Sequence, residues 1–450
     1  MSTTIRLRKG LNIKLAGKAE KILLPEAPVS RYGVRFADFP GLTAKLEVKE
    51  GAVVSAGTVL FHDKLIPEIK YVSPVSGVVK EIVRGEKRLL MEIVIEQKGN
   101  EKIDFGTADP FKLTREEVKN RMMISGLWPV MRQRPYHIVA RPGAVPKAIF
   151  ISAFDTSPLA PDLDFVMANT QGGHLQTGIN VLSRLTDGKI HLSFDKDGSK
   201  VAEVRNLKGI ELYTFSGPHP AGNVGIQIHH IDPVSKGEVV WYTDIQDVVA
   251  LGRLFNTGSY NRDRIIALAG PGVLHPKYHR TRAGASVSAI LKSNLRDQNQ
   301  RVISGNVLTG KKISDEGSIG FYDNMVTVLP EGDYNEFFGW ALPGYDKFSY
   351  WKTFLSKLIP KKEYVLDTNM HGGHRAFVVT GHYENVLPMD LYPVHLVKAI
   401  MAGDVELMEN LGIYEVAEED LALCEYIDPS KIEFQEIIRQ GIDLMIKEMN

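Results

Sequence analysis

The stretch "YVSPVSGVVKEIVRGEKRLLMEIVIE", residues 71–96, consists of a β-run, a glycine-containing turn and another β-run. A related half precedes it: "LEVKEGAVVSAGTVLF", residues 46–61, has the same order of parts. Gly51 and Gly57 in the first half, and Gly77 in the second, supply turn positions with φ > 0 that β-branched neighbours resist. Short alternating runs rich in Val, Ile, Gly and Pro continue through the first hundred residues. They predict a small all-β unit over 1–105.

Paired halves of this kind resemble a lipoyl- or biotinyl-type barrel-sandwich domain, which presents a modified lysine at a tight hairpin tip between them. Here Ile66 stands where that lysine would be, in "FHDKLIPEIKYVSPVSG". Lys64 and Lys70 are near but lack the motif, and Pro67 disturbs a tight hairpin. The reading is a hybrid domain that kept the fold and lost its cargo.

A chain of 450 residues exceeds one hydrophobic core, so several domains are expected. Lys+Arg and Asp+Glu both number 54, so no net basic field draws nucleic acid or anionic lipid over long range, and no nucleic-acid partner is expected. The longest apolar runs, such as "AIFISAF" (148–154), fall short of the roughly 20 residues that cross a bilayer. The N-terminal "MSTTIRLRKGLNIKL" has no apolar segment of the signal-peptide kind. Any contact with a membrane is therefore expected to run through a partner protein. Cys424, the single cysteine, excludes an internal disulfide framework and an all-cysteine cluster.

Beyond residue 105 the texture changes. Thr114 and Glu117 fit a capping box, opening a helix that stops near Gly126. Strand-like "KAIFISAFD" (147–155), "GIELYTFSG" (209–217) and "RIIALAG" (264–270) alternate with helical "LQTGINVLSRLTDG" (175–188) and "DIQDVVALGRLFNTG" (244–258). This pattern predicts a Rossmann-like α/β domain over 106–258 with a largely parallel sheet. A glycine-punctuated β segment over 259–345 reads as β-grasp-like. Residues 346–450 read as a linker and a C-terminal helical domain. The fold class is thus multidomain α+β.

Motifs of chemistry are mostly refused. "GNVLTGKK" (305–312) has P-loop spacing but ends in Lys312 and continues into β-like sequence, so a β-turn is expected. "GPHPAGNVG" (217–225) has the wrong glycine spacing for a dinucleotide cradle, and Pro218 and Pro220 obstruct one. "HPKYH" (275–279) is expected to be a loop because of Pro276, and no histidine pair has metal-site company. In "LCEYIDPSK" (423–431), Asp428 stands where an iron–sulfur pattern would place a second cysteine. An N-cap at Asp428 with Pro429 at N1 is the expected local structure, with Cys424 buried on the preceding helix.

Taken together, "SGLWPVMRQRPY" (125–136), "PKAIFISAFDTSPLAPD" (146–162), "GGHLQTGINVLSRLTDGKIHL" (172–192), "FSGPHPAGNVG" (215–225), "RTRAGASVSAIL" (280–291), "VTVLPEG" (326–332) and "DLALCEYIDPSK" (420–431) carry a resemblance. Nearly end to end, the chain resembles the NqrA family, a component of Na⁺-translocating NADH:quinone reductases. That family is similar in turn to RnfC and to the NADH- and flavin-binding subunit of respiratory complex I. The resemblance implies a barrel-sandwich domain, a Rossmann-like domain, an SLBB-type β-grasp domain and a helical domain with a degenerate iron–sulfur region. It further implies no bound flavin, NADH or cluster. It implies a peripheral place on the cytoplasmic face of the bacterial inner membrane, in a six-subunit complex that reduces quinone and expels Na⁺. Many members of the family carry cysteine at the position of Asp428, and this sequence departs there.

A quinone site needs an apolar slot and donors aimed at two carbonyl oxygens. "GLWPVMRQRPYH" (126–137) offers Trp128 and Tyr136 as faces, with Arg132, Arg134 and His137 as donors. "RYGVRFADFPG" (31–41) offers Arg35, Phe36 and Phe39. The same residues suit packing between domains, and no catalytic residue or metal ligand is expected. A purely structural scaffold and an RnfC-type electron-transfer subunit stand as the alternatives.

Overall fold

The computed structural model describes residues 3–170, 172–296, 299–334, 336–339, 341–359 and 362–449. The quoted 71–96 stretch forms the antiparallel strands Gly77–Arg84 and Leu90–Gln97, at the centre of a four-stranded sheet completed by Arg31–Arg35 and Val53–Val54. A three-stranded sheet, Ala44–Leu46, Val59–Asp63 and Lys70–Val72, closes the sandwich. Gly51 and Gly57 adopt φ of +83° and +96°, as their turns require. Gly77 is needed for another reason: a Cβ there would stand 2.1 Å from the Glu96 carbonyl oxygen, so the ladder closes only over a bare backbone. In the loop after Val59–Asp63, Ile66 packs onto the core and Leu65 is the exposed tip, at 74% exposure.

Two strands within the expected 1–105 span pair elsewhere. Thr3–Arg6 runs parallel to Glu211–Ser216 as an edge of the α/β sheet, with Thr4 and Thr214 hydroxyls 2.9 Å apart. Glu20–Leu24 adds beside Lys277–Arg282. Both are short and largely solvent-facing, so their partners are set by docking, not by an apolar pattern.

The α/β sheet has seven strands. Thr3–Arg6, Glu211–Ser216, Lys189–Asp195, Ala148–Ser152 and Val240–Asp244 lie in that order and run parallel, and Arg132–Arg134 then pairs antiparallel with the last. Helix Arg115–Ile124 begins with the expected box: the Glu117 amide donates to Thr114 Oγ1 at 3.3 Å, and the Thr114 amide to Glu117 Oε2 at 2.7 Å. Helices Leu175–Ser183 and Ile245–Thr257 cross where two glycines face backbone. A Cβ on Gly252 would stand 1.8 Å from the His174 carbonyl oxygen, and one on Gly178 would stand 2.1 Å from that of Val248.

The "RIIALAG" strand, Asp263–Ala269, belongs to a separate six-stranded sheet, parallel to Met325–Pro330 and antiparallel to Lys277–Arg282. His279 is therefore in a strand, and the loop expected from Pro276 ends at Lys277. "GNVLTGKK" joins the antiparallel strands Gln300–Ser304 and Lys311–Ile313, with Gly305 at φ +97°. It is a hairpin connection without a following helix.

Helices Pro393–Ala402, Val405–Asn410, Ala422–Ile427 and Phe434–Met449 build a second core around Cys424, Tyr383, Phe434 and Ile438. Burial pushes the Cys424 thiol well up from its ordinary range. Asp428 is not an N-cap, because the next helix starts only at Phe434. It caps the end of Ala422–Ile427 instead, with Oδ1 accepting from the Tyr383 hydroxyl at 2.7 Å and the Ser430 amide at 3.0 Å, and Oδ2 from the Ile432 amide at 2.7 Å. A carboxylate holding three donors organises this turn by itself.

Candidate functional site

The two candidate segments meet at one seam. From the first, strand Arg31–Arg35 runs into a single 3-10 turn, Phe36–Asp38. Arg35 Nη2 donates to Asp38 Oδ1 at 2.8 Å and lies 3.5 Å from Asp323 Oδ2, so its guanidinium is neutralised twice. Phe36 packs on Phe61 at 4.6 Å between ring centroids. Phe39, 2% exposed, sits among Tyr71 at 4.6 Å, Phe321 at 4.9 Å and Tyr322 at 6.1 Å. Its edge-on contacts favour aromatic packing. A narrow cleft enters here between Arg35, Phe39, Tyr71, Tyr260 and Phe321.

The second segment divides its residues among three roles. Trp128 is fully buried, donates Nε1–H to the Ala140 carbonyl at 2.7 Å and meets Trp241 edge-on at 5.4 Å. It is core. Arg134 is fully buried: Nη1 donates to Asp420 Oδ2 at 2.7 Å and to the Glu415 carbonyl at 2.8 Å, and Nη2 to Glu419 Oε1 at 3.2 Å. It locks the C-terminal helical region to the sheet. Tyr136 and His137 both take positive φ, +84° and +50°, turning the chain sharply after the strand. Tyr136 meets Tyr414 edge-on at 6.3 Å.

His137 is bonded on both ring nitrogens. Arg132 Nη1 lies 3.1 Å from Nε2 and has only protons to give, so Nε2 accepts and Nδ1–H donates to Glu418 Oε2 at 2.8 Å. Burial alone would raise the Glu418 carboxyl, but His137 and Arg439 hold it well below the usual carboxylate range. Burial likewise pushes Asp420 up, against the pull of Arg134.

Arg132 joins the two segments. Its guanidinium carbon lies 4.4 Å from the Tyr322 ring centroid and 4.7 Å from that of Tyr242, a cation held between two π faces. Among the described residues no carboxylate pairs with it within 4 Å, and its buried Nε has no hydrogen-bond partner. The buried Tyr242 hydroxyl has none either, and burial pushes that phenol up to about 12 despite Arg132 and Arg134. Tyr322 donates its hydroxyl to the Pro129 carbonyl at 2.7 Å.

Sequence reading missed Tyr242, Tyr322 and the acidic run Glu418–Glu419–Asp420. Three acids before an apolar helix mark a helix start, which is how "EEDLAL" reads locally. Nothing in the order of residues places that run on Arg132–Arg134.

At the point where strand order reverses, strand Val240–Asp244 ends at Asp244, and Asp155 lies in the loop that follows strand Ala148–Ser152. In such sheets this crevice is the usual ligand position. Asp155 accepts from the Ser157 amide at 2.7 Å, and Asp244 from the Gln246 amide at 2.8 Å and the Asn324 side chain at 2.8 Å. Burial raises both carboxyls. In the loop leading to helix Val224–Ile231, a Cβ on Gly222 would stand 2.5 Å from the Thr156 amide. Carboxylates and a filled turn do not fit a pyrophosphate, which needs open amides and positive potential.

Two buried histidines make stability pH-dependent. Burial takes His219 and His279 from 6.5 down to about 4. Below pH 6.5 the unfolded chain binds protons that the folded chain refuses, so stability is lost as pH falls from about 6.5 to about 4. The loss reaches about 3 kcal/mol per histidine at the acid end of that window. The buried Asp155, Asp244 and Asp323, with raised carboxyls, take up protons first in the folded state and oppose this loss. His219→Asn and His279→Asn are therefore expected to flatten the acid limb of a urea-stability-against-pH curve. An unchanged limb in both variants would contradict the burial argument.

The chain matches three family models: the NqrA N-terminal barrel-sandwich hybrid domain over residues 5–98, the NqrA second alpha/beta domain over 113–260, and the NQRA C-terminal domain over 265–315. It is 40% identical over 439 residues to the A subunit of the Na(+)-translocating NADH-quinone reductase of Yersinia pseudotuberculosis, covering 97% of this chain and 98% of that one. It is 40% identical to the protein of the same name from Photorhabdus laumondii, covering 99% of this chain and 100% of that one. Among solved structures, an NAD+-reducing NiFe-hydrogenase in the air-oxidized state is similar at a TM-score of 0.34 and 10% identity, over 68% of this chain and 55% of that one. With sequence identity at this level along nearly its whole length, the chain belongs to the NqrA family, the A subunits of the Na⁺-translocating NADH-quinone reductases.

Proposed function

We propose that this chain is the peripheral A subunit of a six-subunit, Na⁺-translocating NADH:quinone reductase on the cytoplasmic face of a bacterial inner membrane. In this reading it associates with the quinone and holds no flavin, iron–sulfur cluster or other redox centre of its own. Family membership supports the assignment to the complex. No helix among the described residues is long and apolar enough to cross a membrane, which agrees with a peripheral place. The carboxylates at the switch point and the single, buried thiol supply poor ligands for a dinucleotide or a cluster.

The observation that carries quinone association is the pair of unpartnered donors, Arg132 Nε and the Tyr242 hydroxyl, beside a seam walled by Phe39, Phe321 and Tyr322. Quinone oxygens gain negative charge on reduction, and pre-placed donors in a poorly solvated site stabilise that charge. The aromatic rings supply the flat apolar walls.

The test is a titration of the full chain with a short-chain quinone, followed by tryptophan fluorescence, with Trp241 adjacent to Tyr242 in sequence. Saturable quenching is expected, with affinity weakened about tenfold or more in Arg132→Gln, the loss of one charge-assisted hydrogen bond. Equal urea midpoints for the two proteins would show that the loss is local. Unsaturable quenching in the unaltered chain would leave it a structural scaffold of the complex and overturn the reading.

A further inference from the structure

Between Gly332 and Tyr364 the chain makes an excursion whose ends are both fastened. The Gly332 amide donates to Thr368 Oγ1 at 2.9 Å, the Tyr364 amide to the Lys14 carbonyl at 2.8 Å, and the Ala16 amide to the Tyr364 carbonyl at 2.9 Å. Among its described residues the only regular element is the 3-10 turn Leu355–Leu358. The excursion folds back on itself through the Leu355 amide on the Pro343 carbonyl at 3.0 Å and Lys362 Nζ on the Tyr345 carbonyl at 2.9 Å. Long irregular loops with fastened ends are usually functional.

Its composition is the reverse of a solvent loop. Phe337 is 85% exposed and Leu358 70%, and Leu342, Tyr345, Trp351 and Ile359 are exposed with them. Such a concentration of exposed aromatic and aliphatic side chains marks an interaction surface. Charge says what kind. Between residues 347 and 362 the sequence has five lysines and no acidic residue; Glu363 follows directly, and the whole excursion, 332–364, carries five lysines and four acids. The two nearest acids just N-terminal to that run are already neutralised, Glu336 by Lys347 and Asp346 by Lys362. Lys352 and Lys357 are exposed and pair with nothing among the described residues.

We propose that this lobe is a docking surface for an anionic lipid bilayer. Trp, Tyr and Phe rings and Leu side chains enter the headgroup boundary, while unpaired lysines meet lipid phosphates. No strand edge or long helix is presented among its described residues for a protein groove to read, and a bilayer needs none. The lobe gives a chain without a membrane-spanning helix among its described residues a direct foothold on the membrane, independent of quinone contact.

The test is flotation of the purified full chain with vesicles of phosphatidylcholine alone and of phosphatidylcholine with phosphatidylglycerol. Binding is expected on the anionic vesicles and is expected to weaken with added salt. Phe337→Ser/Leu358→Ser and Lys352→Glu/Lys357→Glu are each expected to weaken it about tenfold or more, with unchanged urea midpoints because these side chains are exposed. No flotation of the unaltered chain on anionic vesicles would overturn the proposal, as would flotation that neither variant reduces. Capture only by membranes carrying the other subunits would also overturn it, making the lobe a protein contact.

Discussion

Arg134→Met is expected to lower the stability of the chain by about 3–5 kcal/mol, read as a fall in the urea midpoint. Arg134 and Asp420 are both fully buried, so removing the guanidinium leaves an uncompensated carboxylate in the interior. The guanidinium also satisfies the Glu415 carbonyl and Glu419, so several acceptors on one C-terminal segment lose their donor together. The helical core about Cys424 is expected to loosen first, seen as faster limited proteolysis after residue 380 than before it. Arg134→Met/Asp420→Leu is expected to recover part of the stability, since it removes the orphaned Asp420 charge while Glu419 and the Glu415 carbonyl still lack their donor. A single variant as stable as the parent would mean that Asp420 is protonated in the folded chain.

Phe39→Ala is expected to cost about 3–5 kcal/mol as well, by a different route. Four rings, Phe61, Tyr71, Phe321 and Tyr322, surround Phe39 and come from three parts of the chain. They cannot all collapse into the space a phenyl ring vacates, so a cavity remains. Any quinone affinity lost in this variant is therefore mixed with a packing defect. Arg132→Gln separates the two, because the half-buried Arg132 carries no carboxylate that would be orphaned among the described residues. A loss of stability below about 1 kcal/mol for Phe39→Ala would show that the seam closes over, and would favour Phe39 as a ligand wall.

Much of the fold was legible because its signals are local. Gly51 and Gly57 announce turns through their own backbone preference, and the Thr114–Glu117 box marks a helix start within four residues. The apolar run at 148–152 suits a strand covered on both faces, as in a parallel sheet. "GNVLTGKK" is refused as a P-loop by the β-like sequence beyond it, and the chain there forms the second strand of a hairpin, not a helix. Other readings failed where a local preference had a stronger distant competitor. Asp428 before Pro429 suits an N-cap, but a buried Tyr383 hydroxyl claims the carboxylate. Gly77 reads as a turn, but the Glu96 carbonyl requires its missing Cβ.

The candidate site was half legible. Sequence singled out Arg35, Phe36 and Phe39 and, separately, Trp128 to His137, because each run offers aromatic faces together with cationic donors. It could not join them, since Tyr322 arrives from the loop before strand Met325–Pro330 of the six-stranded sheet and Tyr242 from within the α/β sheet. Nor could it divide Arg132 from Arg134, two residues apart on one strand. Alternation sends every second side chain to the same face, so sequence predicts like environments for the pair. The sequence by itself determined most of the elements, their order and the family. Only the tertiary structure decided that Arg134 is ion-paired with Asp420 and Glu419 while Arg132, among the described residues, has no carboxylate within 4 Å and lies between two tyrosine rings. The physical reason is that a charge's role depends on which distant carboxylates the packing brings within hydrogen-bond reach, and that is set by long-range closure of the chain.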